Sequence, residues 1–152
     1  MNIAVSACLL GVPCRFDGEA RPCAAVQKLR KDGEHTVVPI CPESGAGLSI
    51  PRSPNEIVAA EEELRVVDSD GVDNTAAFVR GAKRAFEKAR KAGCTCAILK
   101  AKSPSCGSGR IYDGTFTGTL VEGWGVAARM FRDADIQVID EKTFECEGLP
   151  CE

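Results

Sequence analysis

Four short apolar runs punctuate the chain. Ile3-Ala4-Val5 comes first, followed by Thr36-Val37-Val38-Pro39-Ile40, Cys96-Ala97-Ile98-Leu99-Lys100 and Asp135-Ile136-Gln137-Val138-Ile139. Each is compact and rich in β-branched residues or leucine, as buried parallel strands are. Between them the period changes to that of helices. From Val72 to Lys91, the residues Phe78, Ala82, Ala85, Phe86 and Ala89 fall on one face, and Gly93 stands where such a helix ends. A weaker helix is predicted from Pro22 to Lys31, and a third from Val121 to Phe131, where Gly123 and Gly125 weaken the pattern. Glu61 to Val67 reads as a short edge strand or a passage from loop to strand. Strands alternating with helices predict an α/β fold, a mostly parallel sheet flanked by helices and joined by right-handed crossovers. With no linker, repeat array or low-complexity tract, residues 1–152 are expected to form a single domain. Arg15-Phe16-Asp17-Gly18 resembles Ile111-Tyr112-Asp113-Gly114, and both read as turns with Asp-Gly chemistry rather than as a duplication.

Composition narrows the function classes. The chain is 44% apolar and 27% charged with a net charge of −3, which is ordinary for a globular protein. The charges of both signs are interspersed, so neither a stable nucleic-acid contact nor a membrane surface is expected. No apolar run approaches the roughly 20 residues of a bilayer span. The start passes from Met1 straight into a strand-like run with no basic leader, so a cytoplasmic location is expected. Nine cysteines are the unusual count. In a reducing compartment they point to metal binding or catalysis, although free cysteine also serves as a small buried apolar residue.

The position of three of them carries chemistry. Cys8 follows the first predicted strand, Cys41 the second, and Cys106 lies in the loop after the third. Open α/β sheets bind ligands beyond the carboxyl ends of their strands, so three thiols remote in sequence are expected to converge at one sheet edge. Gly11 and Pro13, Pro42 and Gly45, and Pro104 and Gly107 give each a loop whose backbone can approach a sulfur ligand. Structural zinc uses paired C-x-x-C spacing and ferredoxins a dense cysteine run, and neither pattern is present. Three scattered thiolates suit a [4Fe–4S] cluster with one iron left open, a Lewis acid, or else they are buried or redox-active thiols. Cys14 competes with Cys8, which is nearer the strand end. Cys94 and Cys96, at i and i+2 of a strand, are expected to share a face and fill the core. Cys23 is expected to pack on its helix, and Cys146 and Cys151 to lie unligated in a polar tail.

The same residues carry a family resemblance. Val5-Ser6-Ala7-Cys8-Leu9-Leu10-Gly11 with Cys14-Arg15-Phe16-Asp17-Gly18 resembles the opening motif of the thiouracil desulfidase (TudS) family. Cys41-Pro42-Glu43, Gly47-Leu48 and Pro51-Arg52 resemble its second motif. Lys102-Ser103-Pro104-Ser105-Cys106-Gly107 and Ile111-Tyr112-Asp113-Gly114-Thr115-Phe116 resemble its third, and Gly123 through Ala128 is similar to its closing helix. The chain departs at Gly45-Ala46-Gly47-Leu48, where the family usually has paired glycines before leucine. The resemblance implies a Rossmann-like domain with a [4Fe–4S] cluster on Cys8, Cys41 and Cys106, and Glu43 and Ser103 as catalytic acid and serine. The implied reaction is non-redox removal of sulfur from a thiolated nucleobase or nucleotide of the thiouracil type, giving the oxo form and hydrogen sulfide.

Other residues stay open between function and packing. Glu43 suits proton transfer or an N-cap, and Ser103 a donor to substrate or a turn. Lys100 and Lys102 offset cluster charge, meet a phosphate, or are solvated. Trp124 and Phe116 stack on a base or fill the core. His35, alone of its kind, supports no catalytic triad. A cysteine-based redox or persulfide-handling protein without a cluster is the alternative function.

Overall fold

The computed structural model describes residues 1–58 and 63–150. In chain order its elements are β1 (Asn2–Ser6), a 3-10 helix Ala7–Leu10, α1 (Ala24–Lys31), β2 (Thr36–Ile40), α2 (Pro42–Gly45), β3 (Asn55–Val58) and β4 (Arg65–Asp68). Then come α3 (Thr75–Lys91), β5 (Cys94–Leu99), β6 (Ser108–Tyr112), β7 (Leu120–Trp124), α4 (Val126–Asp133), β8 (Gln137–Asp140) and α5 (Glu141–Glu147). The central sheet is wholly parallel, in the order β2-β1-β5-β8, so the four apolar runs are the strands the sequence predicts. Two antiparallel hairpins, β3–β4 and β6–β7, stand outside it.

The sheet is buried on both faces, which is why its middle strand reads as a continuous apolar run. Ile3, Ala4 and Val5 are each fully buried. Ile3 and Val5 join Val26 and Leu29 of α1, and Ala4 joins Ala85, Ala89, Ala128 and Phe131 of α3 and α4. Each large side chain so buried contributes about 1.5–3 kcal/mol. α3 and α4 are locked by Phe86 against Phe131, ring centroids 5.6 Å apart in an edge-to-face arrangement. No described helix is long and apolar enough to cross a membrane.

Two expectations are corrected. Cys94 and Cys96 fill the core but on opposite faces, Cys94 with Phe131 and Cys96 with Ile3. The register of β1 against β5 jumps from Asn2–Cys94 to Ile3–Cys96, and the bulge at Thr95 reverses the alternation. The helix predicted over 121–131 is two elements, since Leu120–Trp124 pairs as β7 with β6 and the helix begins only at Val126. Gly123 sits so close to Ile111 across that pair that an added Cβ would lie 2.8 Å from its Cδ1, which explains a glycine inside a strand. The passage predicted over 61–67 lies partly outside the described residues, and Arg65–Asp68 is strand β4.

Candidate active site

Cys8 lies in the 3-10 helix that leaves β1, Cys41 directly follows β2 at the start of α2, and Cys106 lies in the loop leaving β5. β2, β1 and β5 are neighbours in the sheet, so their carboxyl ends bring the three thiols to one edge. There they line a cleft of about 360 Å³, within the range of small-molecule sites. Cys14 lines it as well, which makes four thiols. Cys8, Cys14 and Cys106 are buried and Cys41 is half-buried.

The thiols differ electrostatically. Burial, together with the negative charge of a Cys41 thiolate, pushes Cys8 up to about 11. Burial pushes Cys106 up to about 12, against the pull of a hydrogen bond from Ser6. Cys41 is lowered, chiefly because the Cys14 thiol donates to its sulfur and because Ser44 donates as well. Cys14 is raised by the same bond and by burial. For Cys8 and Cys106, whose burial opposes ionisation, a nearby cationic group such as a bound metal ion would favour the thiolate.

The spacing bears on which metal fits. Among the described residues, only Asp32, Glu34 and His35 bring three possible ligand atoms within 4.8 Å of one another. That group sits outside the cleft, with His35 Nδ1 3.3 Å from the Met1 amine. A single tetrahedral zinc would draw its thiolates to about 3.8 Å from each other, given bonds of about 2.3 Å. No three of the cleft thiols lie within 4.8 Å of one another, so they are not gathered for a single zinc ion.

Glu43, in the first turn of α2, is gripped at both oxygens. Arg52 Nη2 donates to Oε1, and Ser105 Oγ donates to Oε2 at 2.8 Å. The Ser105 hydroxyl proton is used on Glu43, so Ser103 Oγ donates to Ser105 Oγ at 2.9 Å. Ser103 Oγ in turn accepts the backbone N–H groups of Ser105 and Cys106, each at 3.1 Å. The predicted catalytic serine thus shapes the Cys106 loop and reaches Glu43 only through Ser105, which is 2% exposed and 3.7 Å from Cys106 Sγ. The loop is also tied to α4, where Val126 N donates to Pro104 O at 2.9 Å and Ala127 N to Ser105 O at 2.9 Å.

Other candidates divide. Lys100 lines the cleft and is paired with the buried Glu141 at 2.8 Å, while the other Glu141 oxygen accepts Ala101 N at 2.8 Å. Lys102 lines the cleft in a left-handed conformation, φ 70°. Trp124 packs in the core and under Arg132, whose guanidinium is 4.7 Å from its ring. Neither Trp124 nor Phe116 lines the cleft. The aromatic residues that do are Phe16 and Tyr112. Both belong to the short similarity noted in the sequence, and its aspartates make the same turn: Asp17 accepts Glu19 N at 3.0 Å and Asp113 accepts Thr115 N at 2.9 Å. The turn reading holds, and the matching aromatic positions were the overlooked signal. Cys23 packs in the core and donates to Glu145, Cys146 is exposed, and Cys151 lies outside the described residues.

Known proteins resemble this chain in sequence and in fold. The sequence model of the 2-thiouracil desulfurase family matches residues 3–143, which includes every residue named in the cleft. The chain belongs to the 2-thiouracil desulfurase family. It is 40% identical over 146 residues to the uncharacterized protein YbbK of Bacillus subtilis (strain 168), covering 91% of this chain and 95% of that one. It is also 40% identical to the solved structure of a [4Fe-4S]-dependent thiouracil desulfidase, TudS, with a TM-score of 0.82 over 95% of this chain and 93% of the other. Within that family frame, Arg52 and Ser105 are the two residues whose contacts with Glu43 the sequence alone did not reveal.

Proposed function

We propose that this chain is an iron–sulfur-dependent thiouracil desulfidase, residues 1–152 acting as one domain, with a [4Fe–4S] cluster held by Cys8, Cys41 and Cys106. The observation that carries the reading is the meeting of these three thiols at the carboxyl ends of three adjacent parallel strands, with Glu43 at the same edge. The substrate is a thiolated nucleobase or nucleotide. Overall, one water replaces the thiocarbonyl sulfur by oxygen, both water protons leave with it as hydrogen sulfide, and no electrons are exchanged. When bound, the cluster supplies an iron free of protein ligands, a soft Lewis acid for a thiocarbonyl sulfur.

The chain's own groups do the rest. Phe16 and Tyr112 offer apolar walls for a planar ring. Glu43 Oε2 exchanges a proton with the reacting water, and the hydroxyls of Ser105 and Ser103 hold the proton path open. Arg52 keeps Oε1 occupied, so that only Oε2 faces the serine relay.

The test is anaerobic purification, reconstitution with iron and sulfide, and an assay of 2-thiouracil loss and sulfide release. Cys8→Ala, Cys41→Ala and Cys106→Ala are expected to lose both chromophore and activity. Cys14→Ala and Cys94→Ala are expected to keep the iron. A second reading has one observation in its favour: Cys41 and Cys14 are neighbours, Cys41 Sγ donating to Cys14 O at 3.8 Å, a pair suited to thiol redox or persulfide chemistry without a cluster. It takes first place if wild type binds no iron, or turns over 2-thiouracil equally well without it.

A further inference from the structure

Two described side-chain nitrogens are buried without a hydrogen-bond partner, Arg52 Nε and Asn55 Nδ2. The Arg52 guanidinium is otherwise committed, to Glu43 and to Ser49 O. Asn55 is different. It opens β3, is 7% exposed and lines the cleft. Its Oδ1 accepts from Asn74 Nδ2 at 2.9 Å. Asn74 is itself fixed, with its N–H on Val66 O at 2.8 Å and its carbonyl accepting Phe78 N at 3.0 Å where α3 begins. An amide is planar, so once its oxygen is committed the direction of its NH₂ group follows. A buried donor left unpaired opposes folding, and such groups persist where a ligand completes them.

We propose that Asn55 is a specificity-determining residue, its Nδ2 donating to a ring carbonyl oxygen of the pyrimidine bound in the cleft. The inference rests on the desulfuration reading and says which pyrimidines the site accepts. A 2-thiouracil presents a carbonyl oxygen at ring position 4. A 2-thiocytosine presents an amino group there, and two donors facing each other leave both unpaired.

Two variants test this. Asn55→Asp replaces the donor by an acceptor at nearly constant shape. Asn74→Asp puts an acceptor beside Asn55 and turns its amide round, so that oxygen faces the ligand; aspartate is also a favoured residue where a helix begins, so α3 is kept. Reconstituted enzymes are assayed on 2-thiouracil and 2-thiocytosine. Uracil and cytosine binding to the cluster-free proteins is measured by calorimetry, with thermal unfolding showing that each variant is folded. Wild type is expected to prefer the uracil type in both measurements. Each variant is expected to lose about 10- to 100-fold in kcat/KM for 2-thiouracil, chiefly through KM, and to lose uracil affinity by a similar factor. Folded variants that keep the wild-type preference in both measurements overturn the proposal. If wild type releases no sulfide, the desulfuration reading fails instead. The binding arm still decides Asn55, because uracil binding absent in wild type, or unchanged in both variants, refutes its role.

Discussion

Glu43 is held from two directions, and the two grips differ in kind. Ser105 gives a neutral hydroxyl that can pass a proton on, whereas Arg52 gives a permanent charge that cannot. The guanidinium sets a positive charge beside Glu43, and its side chain is 8% exposed. Arg52 also donates its backbone N–H to Phe16 O at 2.8 Å, so it braces the loop that carries Cys14 and Phe16. If its main service is to orient Glu43, its effect must vanish once Glu43 is gone. Arg52→Gln is expected to lower kcat about tenfold or more in wild type, and to change little in a Glu43→Gln background. Equal losses in both backgrounds would show that Arg52 supports the loop and not the carboxylate. Cys8, Cys41 and Cys106 were legible because each follows an apolar run. Arg52, Asn55 and Ser105 were not, since polar residues in loops have no period and only tertiary contact distinguishes them from solvated ones.

Elements tell the same story through their lengths and their packing. β1, β2, β5 and β8 were readable because strands buried on both faces are continuous apolar runs. β6 and β7 were not: Ser108-Gly109-Arg110 and Glu122-Gly123 are polar and glycine-containing, and α2 is a single turn. Two glycines set how closely the site-bearing elements approach. A Cβ added at Gly81 of α3 would lie 1.9 Å from Pro42 O, so α3 supports α2, and with it Glu43, through bare backbone. A Cβ at Gly125 would lie 2.5 Å from the Ser105 carbonyl carbon, where α4 meets the Cys106 loop. Alanine at either position is expected to cost about 1–3 kcal/mol, a fall in Tm of about 3–10 °C. Gly125→Ala should in addition lower iron content per chain, because the displaced backbone belongs to the residue before Cys106. A Gly125→Ala protein with wild-type Tm and full iron would contradict the close approach.

For the whole molecule, the proposed cluster is a clasp as well as a catalyst. Its three cysteines come from segments separated by 33 residues (8 to 41) and 65 residues (41 to 106), each leaving a different strand of one sheet. A group that binds only the folded chain adds its binding free energy to folding. The sheet itself does not need it, since Ile3, Val5, Cys96 and Ile98 are fully buried in a core of their own. Removing iron with a chelator is therefore expected to lower Tm without unfolding the chain at room temperature. Amide hydrogen exchange should separate the two layers. Protection should fall in segments 7–16, 41–47 and 101–107, where few backbone groups belong to the ladder, and persist in β1 and β5. The motif order that made the family legible is this same geometry: each motif begins where a strand ends. If chelation instead releases β1 and β5 to exchange at the same rate as the loops, the cluster and the sheet fold as one unit, and the sheet is not an independent scaffold for the site.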